Sequence, residues 1–460
     1  MTPQLIASLD RHATERPSGI AVRTVSERGE LFEIGWRALR DAASRRAAEL
    51  RGDAGPVMLR RECGWELLVD MLGALWAERD AMPVPAALPA SEVAVLRERL
   101  ARAVPREGGA LLLQSSGTTG RPKIVRRTHA ALRAVGVACA RDIGVGPDDT
   151  LLLPIPLHHS YGIDMALLTG IEAGCCVEIH DRFQVPLALA AVRSREITVL
   201  PAVPLIFDGL ARVARAASAR PHRIRRAISA GSPLPRRVYD AFLATFGVPI
   251  GQLYGATEFG SLTWNDPAQP GFDPMGVGRP MGAAEVRVVS VEASSADAPV
   301  PAGCDGQLAV RSDGLLSEYV DDSEPSTHSG FFFPRDLGHV THDGCVVLTG
   351  RIKLLIDIGS VKVNPFEIEA VLSQHPDVRE VVVVGLAASD TVARLKAFVV
   401  PEPGARPTAE SLRAFARERL IHYKIPRSFE ITDDVPRSPT GKILRQALPG
   451  RRADRAADGA

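Results

Sequence analysis

Short apolar runs alternate with helical patterns through the first 250 residues of this 460-residue chain, and this alternation limits its possible folds more than any other feature. Two of the helical segments span residues 186–193 and 234–246, and the prolines within residues 83–89 indicate a break. Four of the apolar runs span residues 151–153, 177–179, 198–200 and 226–229. Strands that alternate with helices favour an α/β fold built on a largely parallel sheet.

The pattern changes after residue 283 and again after Gly350. Residues 284–347 contain short β-type runs divided by Gly, Pro and Asp, which indicates a β-rich subdomain. The compact stretch that follows mixes helix and strand patterns and can form its own core. We therefore predict a large N-terminal α/β domain of parallel-rich sheets over residues 1–350 and a small α+β domain over 354–448. Residues 449–460 are expected to be a disordered tail.

Composition excludes several classes of protein. The chain is 45% hydrophobic and 24% charged, as packed globular proteins are, so wholesale disorder is excluded. A formal net charge of +1 gives no global field that would favour nucleic acid or an anionic membrane as a partner. Six cysteines without C-x-x-C spacing indicate neither a disulfide framework nor structural zinc. Because the N-terminus is polar and no apolar run reaches roughly 18–20 residues, we expect a cytoplasmic protein without a membrane span.

The segment Ser-Ser-Gly-Thr-Thr-Gly-Arg-Pro-Lys at residues 115–123 directly follows a predicted strand. Its glycines let backbone amides approach an anion, its hydroxyls donate hydrogen bonds, and Lys123 supplies a point charge suited to phosphate. Only six of the 55 basic residues are lysines, so a lysine at this position favours a functional role. A flexible Ser/Gly linker is the competing interpretation. A Walker loop is excluded, because Pro122 stands where that motif has glycine.

Together with three later segments, this loop makes the chain resemble the adenylate-forming superfamily of acyl- and aryl-CoA ligases, nonribosomal peptide adenylation domains and luciferases. The later segments are Tyr-Gly-Ala-Thr-Glu at 254–258, Gly-Arg-Ile-Lys at 350–353 continuing to Pro-Phe-Glu-Ile-Glu at 365–369, and Pro-Arg-Ser-Pro-Thr-Gly-Lys at 436–442. All four occur in the family's order, and the chain is most similar to stand-alone acyl and aryl acid ligases. The resemblance implies a hinge at residues 351–353, with Lys353 at the hinge position, and a mobile C-terminal domain.

The resemblance also implies an ATP site built from several segments. The phosphates would bind the loop at 115–123, the adenine would lie between an aromatic side chain and a turn, and the ribose would contact a carboxylate and an arginine. The residues implied in these roles are Ser116, Gly117, Thr118, Thr119, Gly120, Lys123, Gly231, Ser232, Pro233, Tyr254, Gly255, Asp336 and Arg351.

Thr257 and Glu258 follow a predicted strand and a glycine turn, so both should project into a crevice at a strand end, where open α/β sheets bind ligands. A hydroxyl beside a carboxylate suits an α-phosphate and Mg²⁺, since that metal takes oxygen ligands from protein and phosphate together. The resemblance implies this use, with Glu258 as the metal ligand. Considered alone, the pair is also consistent with a solvated turn.

Lys442, preceded by Gly441, matches the family's mobile catalytic lysine. An anionic carboxylate is repelled by an anionic α-phosphate, and the in-line transition state places still more negative charge on oxygen. A cation that bridges the two groups lowers this barrier, and a separate domain allows the cation to withdraw before a thiol approaches. The resemblance implies further catalytic roles for Thr257, Glu258 and His159.

The segment Pro-Leu-His-His-Ser-Tyr-Gly at residues 156–162 resembles the acid-binding segment of acyl- and aryl-CoA ligases, where the histidine matching His159 gates the pocket. No Asp occurs in it to pair a substrate ammonium, so an amino acid substrate is not expected. Tyr161 matches a tyrosine that meets the substrate phenol in some hydroxyaryl-acid ligases, which favours an aryl acid, although such a tyrosine can also be simply packed. The implied acid-site residues are His159, Ser160, Tyr161, Gly162, Ala230 and Gly255.

The chain departs from the family's pattern at two positions. Pro334 and Arg335 replace the usual Thr-Gly ahead of Asp336, which should alter the shape of that loop. Ser360 replaces a glycine that lines the passage for the pantetheine arm, so this departure concerns thiol delivery.

We therefore predict an ATP-dependent ligase that converts a carboxylic acid to acyl-AMP and pyrophosphate, and then transfers the acyl group to CoA with release of AMP. The alternative acceptor is the phosphopantetheine of a discrete acyl carrier protein, because the region ahead of the phosphate loop is short for the family. An inactive nucleotide-binding regulatory module is a different class. Such a module would be expected to lack Lys442 or Glu258, and both are present.

Overall fold

The computed structural model describes residues 4–52, 55–102, 108–115, 122–180, 182–216, 221–320, 327–358, 361–387, 393–438 and 441–448. Three sequence predictions lie outside these residues: positions 116–120 of the phosphate loop, Ser360 and the tail at 449–460.

A nine-stranded sheet forms the centre of the N-terminal region. Six adjacent strands run parallel, from Ile250–Ala256 to Ile20–Val25, and antiparallel strands lie beyond them at both edges. In spatial order the strands are Arg279–Pro280, Gly260–Trp264, Ile250–Ala256, Arg226–Ser229, Val199–Ala202, Thr150–Leu153, Cys176–His180, Ile20–Val25 and Leu31–Gly35.

Apolar side chains cover both faces of this sheet, which is why its strands appear in the sequence as continuous apolar runs. Leu151 and Leu153 belong to one apolar cluster, whereas Leu152 belongs to a second one. The helices of this region are Gln4–Glu15, Trp36–Leu50, Trp65–Trp76, Ala90–Ala101, His129–Ile143, Val185–Ser194, Pro204–Ala216 and Arg236–Phe246. A further helix runs from Ser160–Gly162 through the π-helical segment Ile163–Thr169 to Gly170–Ala173.

A five-stranded sheet contains a strand that the sequence pattern did not predict, because its prolines indicated a break. Ala81–Pro85 pairs along its whole length with Val57–Arg61, but it pairs with Ala110–Gln114, on its other side, only at Ala81. The prolines come after Ala81, where pairing with Ala110–Gln114 has ended. No backbone partner on that side therefore requires the N–H groups that prolines lack. In spatial order the strands are Glu318–Tyr319, Ile124–Thr128, Ala110–Gln114, Ala81–Pro85 and Val57–Arg61.

The β-rich subdomain expected after residue 283 is a six-stranded antiparallel sheet. Glu285–Val289 pairs with Gly306–Arg311 beside the main path of the sheet. Along that path the strands are Thr327–His328, Phe331–Phe332, Gly306–Arg311, Asp336–Val340 and Val346–Arg351. The last two strands bring Asp336 directly opposite Arg351.

Residues 354–448, here called the C-terminal region, enclose two apolar clusters of their own. The short turn Ile352–Leu354 leads into this region. Its strands are the pair Ile356–Ile358 and Val361–Val363 and the three-stranded sheet of Val378–Ala387, Ala393–Pro401 and Ser428–Ile431. Its helices are Pro365–Leu372 and Ala409–Arg417, with 3₁₀ turns at His422–Lys424 and Arg445–Ala447. Among all the described residues, no helix has the length and apolar character needed to cross a membrane.

Candidate active site

Three loops with predicted functional residues leave the same edge of the nine-stranded sheet. They follow the strands Thr150–Leu153, Arg226–Ser229 and Ile250–Ala256, which run parallel, with Val199–Ala202 between the first two. Parallel strands place their carboxyl ends at one edge, where open α/β sheets bind ligands. The structure therefore brings the acid-binding segment, the turn at Gly231 and the Thr257–Glu258 pair to one crevice.

The turn at Gly231 is exposed and has the backbone geometry that a close approach requires. Gly231 has φ +86°, a left-handed conformation that glycine adopts without steric penalty. Gly231 and Pro233 are exposed, and Ser232 is half-buried. The exposed Gly255 lies after Tyr254 on the adjacent strand, where an added Cβ would overlap the Gly260 carbonyl oxygen. These positions leave bare backbone at the turn and on the strand beside it.

Asp336 is held by two side chains. Its Oδ2 accepts a hydrogen bond of 2.7 Å from the hydroxyl of Tyr254, and its Oδ1 accepts one from Nε of Arg351. Burial acts to lower the pKa of Arg351, but the Asp336 carboxylate, together with Tyr254 and Glu258, outweighs this effect, and the pKa is raised. Burial and the same carboxylate raise the pKa of Tyr254 well above its ordinary value. The predicted ribose-binding carboxylate is therefore buried and fixed in orientation.

The Pro334-Arg335 departure does not remove the turn ahead of Asp336. Arg335 has φ +65°, the left-handed conformation for which the family's glycine is suited, and its carbonyl accepts a hydrogen bond of 2.9 Å from Ile352 N–H. A non-glycine residue in this conformation is strained by roughly 1–2 kcal/mol. The local shape survives the substitution at the expense of backbone strain.

Glu258 and Lys123 both contact Tyr319. The Tyr319 hydroxyl donates to Glu258 Oε1 at 3.3 Å, and Lys123 Nζ lies 4.2 Å from the centre of the Tyr319 ring. Burial raises the pKa of Glu258, and hydrogen bonds, including that from Tyr319, oppose this change. Ser115 closes the base of the phosphate loop, because its N–H donates to the Lys123 carbonyl at 2.8 Å.

Lys442 reaches this crevice from the C-terminal region. Burial lowers its pKa, the Arg351 guanidinium lowers it further, and the carboxylates of Glu258 and Asp336 oppose this change. Gly441, with φ +80°, lies against the N-terminal region, where an added Cβ would be 3.4 Å from Leu205 Cβ. The lysine is thus half-buried among the charged residues predicted to surround the nucleotide.

The two histidines of the acid-binding segment are neutral. Burial lowers the pKa of His158 to about 4, and burial together with the Lys442 charge lowers that of His159 to about 3. Nδ1 of His159 accepts the Tyr161 N–H at 3.3 Å, so its proton resides on Nε2. A Cβ on Gly162 would overlap the carbonyl oxygen of Pro156, which explains the glycine at this tight turn.

Tyr161 is placed differently from the sequence expectation. Its hydroxyl donates a hydrogen bond of 2.9 Å to the main-chain oxygen of Ile228, and the side chain is buried. The donor that was expected to meet a substrate phenol is therefore used inside the protein. Ala230 is also buried, with its N–H bonded to the Ala202 carbonyl at 3.2 Å.

Several residues near the site were missed from the sequence. A buried ion pair of 2.9 Å joins Arg127 to Asp164, and Asp164 also accepts hydrogen bonds from the N–H and hydroxyl of Ser261. This cluster fixes the strand that follows the Glu258 turn. The consecutive arginines Arg126 and Arg127, shortly after the phosphate-loop segment, were the available signal for it, whereas nothing in the sequence marked Tyr319.

An ion pair centred on Arg237 joins the two regions. Arg237 Nη1 lies 2.8 Å from Asp208 Oδ1 within the N-terminal region, and Arg237 Nε lies 3.7 Å from Glu402 Oε1 in the C-terminal region. The same guanidinium therefore contacts a carboxylate on each side of the junction.

Two family models match the chain. The model described as AMP-binding enzyme matches residues 97–320, and that described as AMP-binding enzyme C-terminal domain matches residues 367–442. The chain belongs to the AMP-binding enzyme family. This result confirms the resemblance to the adenylate-forming superfamily, because both halves of the family's architecture match in the expected order.

Named relatives of this AMP-binding enzyme family member act on different acids. 4-Coumarate–CoA ligase 1 of Oryza sativa subsp. japonica is 28% identical over 349 residues, which cover 73% of this chain and 61% of the relative. Sulfoacetate–CoA ligase of Cupriavidus necator is 31% identical over 344 residues, which cover 74% of this chain and 66% of the relative. The chain thus matches less than two thirds of the length of either relative.

The fold is shared with a solved structure over nearly the whole chain. ATP-bound MatB from Rhodopseudomonas palustris has a TM-score of 0.87 and 24% identity, with 97% of this chain and 98% of that chain covered. This likeness confirms the predicted α/β fold class, with a large N-terminal and a small C-terminal domain.

Proposed function

We propose that this protein is an AMP-forming acid–thiol ligase. A substrate carboxylate attacks the α-phosphorus of ATP, which gives acyl-AMP and pyrophosphate, and the thiolate of CoA then attacks the acyl carbon and releases AMP. One observation carries this proposal: Lys442, which belongs to the C-terminal region, interacts electrostatically with three charged residues of the N-terminal region. These residues are Glu258, Asp336 and Arg351. The two relatives compared above, both CoA ligases by name, support the same reaction class.

In this proposal Lys442 provides the positive charge between the two anionic reactants. Its half-buried position strengthens its interaction with negative charge, because water screens it less than at the surface. His159, neutral and with its proton on Nε2, presents an uncharged donor to the acid pocket. A neutral imidazole adds no second cation beside Lys442.

The nucleotide would bind along the loops of the N-terminal region. Asp336, fixed by Tyr254 and Arg351, accepts hydrogen bonds from the ribose hydroxyls in this proposal, while Lys123 and the loop at 116–120 contact the phosphates. The adenine would lie against Tyr254, Gly255 and the exposed turn of Gly231, Ser232 and Pro233. Lys353, in the turn Ile352–Leu354 between the two regions, is proposed as the hinge.

Thr257 and Glu258 would hold a magnesium ion, because hydroxyl and carboxylate oxygens are ligands that Mg²⁺ prefers. Among the residues that the structure describes, no group of three or more His, Cys, Asp or Glu could hold a metal. This fits an ion that takes most of its ligands from phosphate and water. When bound, the ion would neutralise charge on the phosphate oxygens.

Within the class of carboxylic acids, we propose an aryl acid as the first substrate to test. The relationship to 4-coumarate–CoA ligase supports this choice, whereas the relationship to sulfoacetate–CoA ligase favours a small anionic acid. Recognition of an aryl substrate would not depend on donation from Tyr161, whose hydroxyl hydrogen bonds to Ile228. His159, Ser160, Gly162, Ala230 and Gly255 stay the proposed acid-site residues.

Acid-dependent exchange of labelled pyrophosphate into ATP tests the first half-reaction. A panel of benzoic, cinnamic, aliphatic and sulfonated acids should give exchange with at least one class, and no exchange with any of them would contradict the proposal. CoA and a holo acyl carrier protein, added separately, then identify the acceptor by thioester formation. If a thioester forms only on the carrier protein, the acceptor in the proposed reaction is the carrier protein and not CoA.

A further inference from the structure

Tyr319 lies between two segments of the proposed site, one that carries the phosphate ligand Lys123 and one that carries the metal ligand Glu258. It lies on the two-residue strand Glu318–Tyr319, at the edge of the five-stranded sheet, and pairs with Val125 on the strand Ile124–Thr128. Lys123 directly precedes that strand. The backbone thus places Tyr319 beside the end of the phosphate loop.

Backbone hydrogen bonds attach the same segment to the Glu258 turn. Leu316 N–H donates to the Glu258 carbonyl at 2.6 Å. On the other side, Ser317 N–H donates to the Arg126 carbonyl at 2.9 Å, and Val320 N–H donates to the Ile124 carbonyl at 2.8 Å. Segment 316–320 is therefore bonded to the strand after Lys123 and to the turn that carries Glu258. Tyr319 is 9% exposed as a residue, so packing restricts the orientation of its side chain.

The two ends of the Tyr319 side chain contact groups of opposite charge. Lys123 Nζ lies 4.2 Å from the ring centre, and the hydroxyl donates to Glu258 Oε1 at 3.3 Å. The negative face of an aromatic ring attracts an ammonium, and a hydroxyl donor is suited to a carboxylate. One rigid side chain thus holds a flexible lysine and an acidic residue at separate points.

We propose that Tyr319 is a positioning residue that keeps Lys123 and Glu258 apart and aimed at the polyphosphate. This inference rests on the proposed function, in which Lys123 contacts phosphate and Glu258 holds the metal. Without the ring, an ammonium and a carboxylate in neighbouring segments would attract each other and could pair directly, so that both would be lost to the nucleotide. The ring gives the ammonium a partner that does not neutralise it.

Two substitutions separate the two contacts. Tyr319→Phe keeps the ring and removes only the hydroxyl, whereas Tyr319→Leu removes both. ATP binding is measured by isothermal titration calorimetry on the full chain without acid, once in EDTA and once with saturating Mg²⁺. This readout does not depend on turnover, and the Mg²⁺-dependent gain in affinity reports on Glu258 separately from Lys123.

For Tyr319→Phe, the ATP dissociation constant in EDTA should stay within about twofold of the original, while the gain on adding Mg²⁺ should fall by roughly fivefold. For Tyr319→Leu, ATP affinity should fall by roughly fivefold in EDTA as well, because the lysine loses its ring contact. A Phe variant with the full Mg²⁺ gain, together with a Leu variant that binds ATP normally, would overturn the inference.

Tyr239→Phe is the matched control. Tyr239 is also buried and has Arg236 5.8 Å from its ring centre, but it packs in the cluster around Phe242, outside the loops that carry the site. It should bind ATP as the original chain does. If thermal melting shows that the Leu variant is not folded, the gain in ATP affinity of the Phe variant on adding Mg²⁺ alone tests the inference. An original chain that binds no ATP would refute the proposed function, whereas normal binding with unchanged variants would refute only the role of Tyr319.

Discussion

The Tyr254 hydroxyl lies 2.7 Å from Asp336 Oδ2, on a carboxylate whose other oxygen accepts a hydrogen bond from Arg351. The strands Asp336–Val340 and Val346–Arg351 place the arginine and the aspartate directly opposite each other. A carboxylate held at both oxygens keeps a fixed direction, which is what recognition of two neighbouring sugar hydroxyls requires. For the proposed contact with ribose, the carboxylate is therefore already oriented by Tyr254 and Arg351.

Tyr254→Phe should weaken ATP binding without changing the acid site. Loss of a hydrogen bond to a charged group should raise the KM for ATP by roughly three- to tenfold. The KM for the acid should stay unchanged and serves as the internal control in steady-state assays. Asp336→Asn should have the larger effect, because it also disrupts the contact with Arg351. Equal changes in both KM values would contradict a role confined to the nucleotide.

Lys442→Ala should lower acid-dependent pyrophosphate exchange by at least about 100-fold, because the positive charge between the reactants is lost. The melting temperature should change little, since the lysine is only half-buried. Lys424→Ala is the matched control: Lys424 is also in the C-terminal region, but it pairs with Glu367 at 2.6 Å. Full exchange in the Lys442 variant would refute its catalytic assignment.

The pH dependence of adenylation should reflect the lowered pKa of Lys442. Burial and the Arg351 charge lower it from 10.5, so the lysine loses its proton, and the rate falls, at lower pH than for a surface lysine. Lys442→Arg should remove this alkaline decline and keep part of the rate, because guanidinium stays charged. Initial exchange rates from about pH 7 to 10 test this. The same decline in both proteins would assign it to another group.

Glu402→Gln should favour separation of the two regions. Glu402 is the partner of Arg237 across the junction, at 3.7 Å, and a partly exposed pair of this kind contributes roughly 0.2–1 kcal/mol. Pyrophosphate exchange should fall by up to about fivefold, with thioester formation from preformed acyl-AMP unchanged or faster. Glu418→Gln, which breaks a pair with Arg419 inside the C-terminal region, is the control. An equal loss in both half-reactions would argue against a role at the junction.

Arg335→Gly should stabilise the protein by about 1 kcal/mol, because glycine adopts φ +65° without the strain of a side chain. The Arg335 side chain is exposed, so little packing is lost. Arg335→Ala keeps the strained backbone and should give no comparable gain. Denaturant unfolding of the three proteins measures the difference, and equal stability of the Gly and Ala variants would show that the turn is unstrained.

The parallel core could be predicted from sequence because both of its faces are buried, so its strands are continuous apolar runs. The strand Ala81–Pro85 could not be predicted from sequence, because its prolines indicate a break. They are compatible with a strand only because pairing with Ala110–Gln114 ends at Ala81, which the sequence does not reveal. The same limit applies to the site. Motif residues such as Lys442 and Asp336 are recognisable along the chain, whereas Tyr319 acts through contacts with residues 61 and 196 positions away.

Lys442 belongs to a region with its own apolar clusters, while Glu258, Asp336 and Arg351 belong to the N-terminal region. Any rotation of the C-terminal region therefore alters the electrostatic potential over the crevice as well as its shape. In the proposed reaction, withdrawal of the lysine would remove a positive charge from the neighbourhood of two carboxylates, so the attraction on a departing anion would weaken as the exit opens. Opening and anion release would then be coupled in a single displacement.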